Sequence, residues 1–143
     1  MTIRELLDKH AKETNEFTND EKIIIMFGSS ENEILKQIEA KGLKPNDLIN
    51  LGGGVWLKKE YEKEFNNLIE KQFKEKKEYT LNNIYEVVNF YLWDYEAYIS
   101  LTYTLDDILT DLLKLTPEEI EANKDEINRA REDYIREFEK LNL

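Results

Sequence analysis

All five glycines of this 143-residue chain lie between positions 28 and 54, at 28, 42, 52, 53 and 54. Glycine supplies backbone conformations that other residues avoid, so the tightest turns are confined to that window. Outside it the sequence is written for helix. Thr2-Ile3-Arg4-Glu5 is a capping box, in which a hydroxyl accepts from the third helical amide while the glutamate reaches back. Behind it Ile3, Leu6, Leu7, His10 and Ala11 follow the spacing of a buried helical face.

Within the window the grammar changes. Lys22 to Phe27 carries three consecutive isoleucines and stops at Gly28, which predicts a short buried strand. Ser30 and Glu33 form a second capping box, opening a helix with Ile34, Leu35 and Ile38 inward and Gly42 as its left-handed cap. Leu43 to Asp47 is turn chemistry. Leu48–Leu51, Gly52–Gly54 and Val55–Lys58 then read as a hairpin whose glycines supply positive φ.

From Lys59 to about Lys77 a charged helix carries Tyr61, Phe65, Leu68, Ile69 and Gln72 on one face. Thr80 is expected to cap a long helix to about Ser100, and Thr104 another over 105–115. Thr116-Pro117-Glu118-Glu119 is the strongest start signal, with a cap, a proline at the first position and a glutamate at the third. Asn123 can restart a helix, so 117–141 is one helix or two, with Ile120, Ile127, Tyr134, Phe138 and Leu141 on its apolar face. The fold class is therefore α+β: a single, mostly helical domain with a sheet of two or three strands. A strand–helix–hairpin part and a charged helix (1–79) precede an acidic helical part (80–143).

Charge is spread unevenly. The net charge is −11, and residues 80–123 hold nine acids against the single base Lys114. Such a chain is a poor direct ligand for nucleic acid or an anionic membrane, both of which call for a basic face. No cysteine is present, which excludes disulfides, thiol nucleophiles and Cys-ligated metals, and the lone His10 excludes a multi-histidine metal site. Residues 1–13 lack the apolar core of a signal peptide, and no stretch nears the ~18 apolar residues of a membrane span. The expectation is a cytoplasmic protein without cofactor, metal or catalytic residues.

Two constellations invite chemistry. Gly52–Gly54 with Lys58, and His10 as a base, would suit a small accessory enzyme or nucleotide binder. Yet no GxxxxGK[ST] or GxGxxG motif is present, and the segment after the glycines reads as strand. The second is the helix beginning at residue 81. Ile84, Val87, Val88, Tyr91, Leu92, Tyr95, Tyr98 and Ile99 form its core stripe, with Glu86, Asn89, Phe90, Trp93, Glu96, Ala97 and Ser100 opposite. Trp93 is then either an exposed interface anchor or a residue covered by helix 117–141. As an anchor it would join Glu86, Phe90, Asp94, Glu96, Asp106, Asp107, Asp111, Glu118, Glu119 and Glu121 in a partner-binding surface. Part of that acidity favours helix N-termini. The near absence of lysine does not follow from capping, and a dense acidic surface mimics a phosphate backbone to a basic protein.

The run GLKPNDLINLGGGVWLKKE (42–60), followed by a charged helix and by FYLWDYEAYISLTYTLDDILTDLLKLTPEEI (90–120), resembles small acidic proteins from phages, prophages and plasmids of low-GC Gram-positive bacteria. The likeness spans roughly residues 31–139 and is most specific at the Gly52–Gly54 hairpin and the Leu-Thr-Pro-Glu-Glu helix start. Where those proteins carry an Asn-His-Glu-Tyr-like segment, this chain has Asp94-Tyr95-Glu96-Ala97-Tyr98, so no role for that histidine carries over. The family has no assigned activity. What the resemblance implies is a setting, mobile elements, and no mechanism; by analogy, many small acidic proteins of that setting inhibit host machinery. A CRISPR effector or another defence or DNA-handling enzyme with a basic surface would be the target. An adaptor for an uncharged partner is the remaining alternative.

Overall fold

The computed structural model describes residues 1–18, 21–28, 30–97 and 104–141. Tyr98, Ile99 and Ser100, expected at the end of the long helix, lie outside them. The protein is a mostly helical α+β fold with a three-stranded antiparallel sheet. It divides into two compact units, residues 7–72 and residues 73–143 together with 1–6.

The first element is helix α1 (Ile3–Thr18), and its capping box forms as expected: the Glu5 amide donates to Thr2 Oγ1 and the Thr2 amide to Glu5 Oε2. Residues 7–72 continue with strand β1 (Ile23–Ile25), α2 (Glu31–Ala40), β2 (Leu48–Gly52) and β3 (Val55–Lys58). The sheet order is β1-β3-β2, with Ile24 opposite Trp56 and Ile49 opposite Leu57. One sheet face and α2 enclose Ile24, Met26, Ile38 and Leu48, with Ile34, Leu43 and Trp56 packed around them. Strand side chains alternate, so Ile25 and Phe27 leave on the other side and stay 60 % and 79 % exposed. The isoleucine run is buried on one face only at this end, which corrects the expectation of a strand buried throughout.

The hairpin turns where the glycines permit it, with φ of +92°, +61° and +81° at Gly52, Gly53 and Gly54. A bulge between Asn50 and Gly52 is held by the Gly52 amide donating to Asn50 Oδ1 at 2.8 Å.

Helix α3 (Glu62–Asn82) does not stop near Lys77. Thr80 is buried inside it, and its hydroxyl donates to the Lys76 carbonyl at 2.7 Å instead of starting a helix. The break falls three residues later at Asn83 (φ −143°), whose side-chain amide donates back to the Tyr79 carbonyl. Helix α4 (Ile84–Asp94) follows, shorter than expected.

Thr104 caps the single-turn α5 (Leu105–Asp107), which widens into a π turn over Ile108–Leu112. There the Leu113 amide reaches the Ile108 carbonyl at 2.9 Å. Thr116 and Glu119 form the expected reciprocal box at the start of α6 (Pro117–Ala122). Asn123 (φ −115°, ψ 15°) separates α6 from α7 (Lys124–Leu141), so the C-terminal segment is two helices. Val87, Val88, Tyr91 and Leu92 of α4 are buried, as are Ile127, Ala130 and Tyr134 of α7, and the two helices pack together.

Candidate functional site

The acidic segment belongs to the unit formed by residues 73–143 with 1–6. Its eleven expected partner-binding residues separate by what their side chains touch. Trp93 lies edge-on to Tyr134, ring centroids 4.8 Å apart at 87°, with Phe138 at 6.2 Å. Helix α7 therefore packs against the indole, as in the second of the two placements the sequence left open, and Trp93 is half-buried. Phe90 is half-buried, with the Arg4 guanidinium 5.4 Å from its ring and Tyr91 in edge-to-face contact. The two rings form no outward apolar patch.

Three of the nine acids serve the fold, and a fourth has a local surface pair. Glu86 accepts from the Tyr79 hydroxyl at 2.5 Å and from the Ile3 amide at 3.1 Å, tying the start of α1 to the end of α3 and to α4. Burial, then that contact with Glu86, pushes the Tyr79 phenol up to about 12. Asp107 accepts from the Thr104 amide at 2.9 Å and from its hydroxyl, and these bonds lower its carboxyl pKa. Glu119 meets Lys77 Nζ at 2.6 Å and the Thr116 amide at 2.9 Å. The lysine contact, then the amide, hold its carboxyl below the usual range. Glu121 pairs with Lys124 at 3.1 Å.

The other five, Asp94, Glu96, Asp106, Asp111 and Glu118, carry exposed carboxylates and enter no ion pair among the described residues. Asp111 has only a long 3.4 Å contact from the Thr110 hydroxyl. Glu96 holds a left-handed backbone, φ +49°. Its amide and that of Ala97 donate to the carbonyls of Trp93 and Leu92, closing α4 in a Schellman-type cap. These five are exposed acids of the segment that no ion pair among the described residues engages. Long-range pairing hid the division: Lys77 lies 42 positions from Glu119, and Tyr79 meets Glu86 only across the unforeseen break at Asn83.

The glycine-loop reading is not assembled. Lys58 pairs with Leu48 at the far end of β3, about 13 Å along the strand from Gly54. His10 is buried in α1, where its carbonyl accepts from Gln72 Nε2 at 3.0 Å. Among the described residues no group of three or more His, Cys, Asp or Glu is placed to hold a metal. No helix of the described residues is long and apolar enough to cross a membrane. The chain matches no protein-family model, no curated protein and no solved structure.

Proposed function

We propose that this chain is a non-catalytic binding protein whose exposed carboxylates occupy a basic, nucleic-acid-binding surface on another protein. The resemblance to phage and mobile-element proteins suggests a host defence or DNA-handling enzyme as the target, a CRISPR effector among them. One observation carries the reading: Asp94, Glu96, Asp106, Asp111 and Glu118 remain exposed after structural duties are assigned, in a segment whose only base is Lys114. Unneutralised like charges repel one another, and they speed encounter with a basic partner. Trp93 contributes through the fold and not as an interface anchor.

The test is capture from a host lysate by the wild type and by the variant carrying Asp94→Asn, Asp106→Asn, Asp111→Asn and Glu118→Gln. The wild type is expected to retain a nucleic-acid-binding protein that salt releases. The variant should associate about tenfold or more slowly at low salt, the gap closing as the Debye length shortens to about 8 Å near physiological strength. Capture that ignores both salt and these substitutions would defeat the proposal.

A further inference from the structure

A different surface, within residues 7–72, has its own geometry. Strand β1 is an edge of the sheet. Its ladder to β3 includes the Lys58 amide donating to the Lys22 carbonyl at 2.9 Å and the Met26 amide donating to the Gly54 carbonyl at 2.8 Å. Antiparallel strands alternate, so Lys22, Ile24 and Met26 direct their backbone groups toward β3, and Ile23, Ile25 and Phe27 direct theirs outward. Phe27 is already answered: its amide donates to Gln37 Oε1 and its carbonyl accepts from Gln37 Nε2. One side-chain amide thus mimics a residue of a fourth strand. Ile23 and Ile25 remain.

The two edges are treated differently. The β2 edge is interrupted by the Asn50/Gly52 bulge, a device that discourages pairing. The β1 register from Ile23 to Ile25 has none, and a groove of about 360 Å³ runs beside it. Glu21, Lys41, Leu43 and Lys58 line the groove along with the strand. Lys41 and Lys58 enter no ion pair among the described residues, whereas Lys22 is bonded to Glu64 at 2.8 Å. Ile25, which also lines the groove, and Phe27 are largely exposed.

From this placement we infer that the β1 edge docks an extended segment of a partner protein in which apolar and acidic residues alternate. Its backbone continues the sheet through Ile23 and Ile25. Its apolar side chains lie beside Ile25 and Phe27, and its carboxylates face Lys41 and Lys58, outweighing Glu21. A second copy fits less well, because pairing β1 with β1 brings a second pair of these lysines to the same seam.

The probe is a labelled ten-residue peptide alternating valine and glutamate, compared by anisotropy with its valine–lysine counterpart. The glutamate peptide is expected to bind and to slow amide exchange at Ile23 and Ile25. Ile25→Pro removes an outward donor and no ladder bond, and should weaken binding by about tenfold or more. The double variant Lys41→Glu, Lys58→Glu, which leaves the strand intact, should weaken it by about fivefold at an unchanged melting point. Absence of binding, equal binding of the lysine peptide, or protection only elsewhere would overturn the inference. So would protection of Ile23 and Ile25 in a concentration-dependent dimer without peptide.

Discussion

The indole of Trp93 and the phenol ring of Tyr134 meet edge to face, 4.8 Å apart, joining α4 to α7. Aromatic pairs of this geometry add to the area they bury. Trp93→Ala should therefore lower stability by about 2–4 kcal/mol, read as a clear fall in the melting point. An unchanged midpoint would return the indole to the surface and reopen its part in binding.

Glu96 closes α4 in a conformation that costs a side-chain-bearing residue. Glu96→Gly should raise stability by about 0.5–1 kcal/mol, or about 2–4 °C in a thermal scan. Destabilisation would show that the carboxylate has a structural partner worth more than the backbone strain.

Neighbouring glycines of the hairpin differ. A Cβ on Gly53 would meet nothing within 4 Å, while one on Gly54 would lie 2.8 Å from the Met26 carbonyl oxygen. Both have positive φ, so Gly53→Ala should cost about 1 kcal/mol and Gly54→Ala clearly more. Equal denaturation midpoints would contradict the close approach of β1 to the turn.

Lysine and amide contacts lower the Glu119 pKa, Thr104 contacts that of Asp107, and the Tyr85 hydroxyl that of Asp133. Each carboxyl holds its proton less tightly folded than unfolded. The stability they contribute is present above their ordinary values, 4.5 for Glu119 and 3.8 for the aspartates, and is lost as pH falls through the lowered ones. Urea midpoints should decline below about pH 4.5, and Glu119→Gln should flatten that decline while lowering the midpoint at pH 7. A parallel curve for the variant would remove Glu119 from the acid response.

Local signals carried much of this far. The caps at Thr2, Ser30, Thr104 and Thr116 and the glycine turn are short-range chemistry, and each formed where the residues indicated. Thr80 misled because a threonine hydroxyl also bonds back to the carbonyl four residues earlier, a choice set by burial rather than by its neighbours. The acidic segment was legible as a charge excess. Which carboxylates are held by the fold was not, because that depends on Lys77 and Tyr79 reaching Glu119 and Glu86 in three dimensions. The β1 edge was equally hidden, since Gln37 answers Phe27 only once α2 lies on the sheet.

The π turn over Ile108–Leu112 has a consequence for chain length. Its carbonyl-to-amide bond from Ile108 to Leu113 spans one residue more than an α-turn would enclose. Thr110, exposed at its middle, is in that sense surplus. A chain lacking it could close an ordinary α-turn between the caps at Thr104 and Thr116, both of which lie outside the altered loop. Loss of Thr110 is expected to leave the flanking caps in register, where elsewhere in its helices the loss of one residue would turn every following side chain by about 100°.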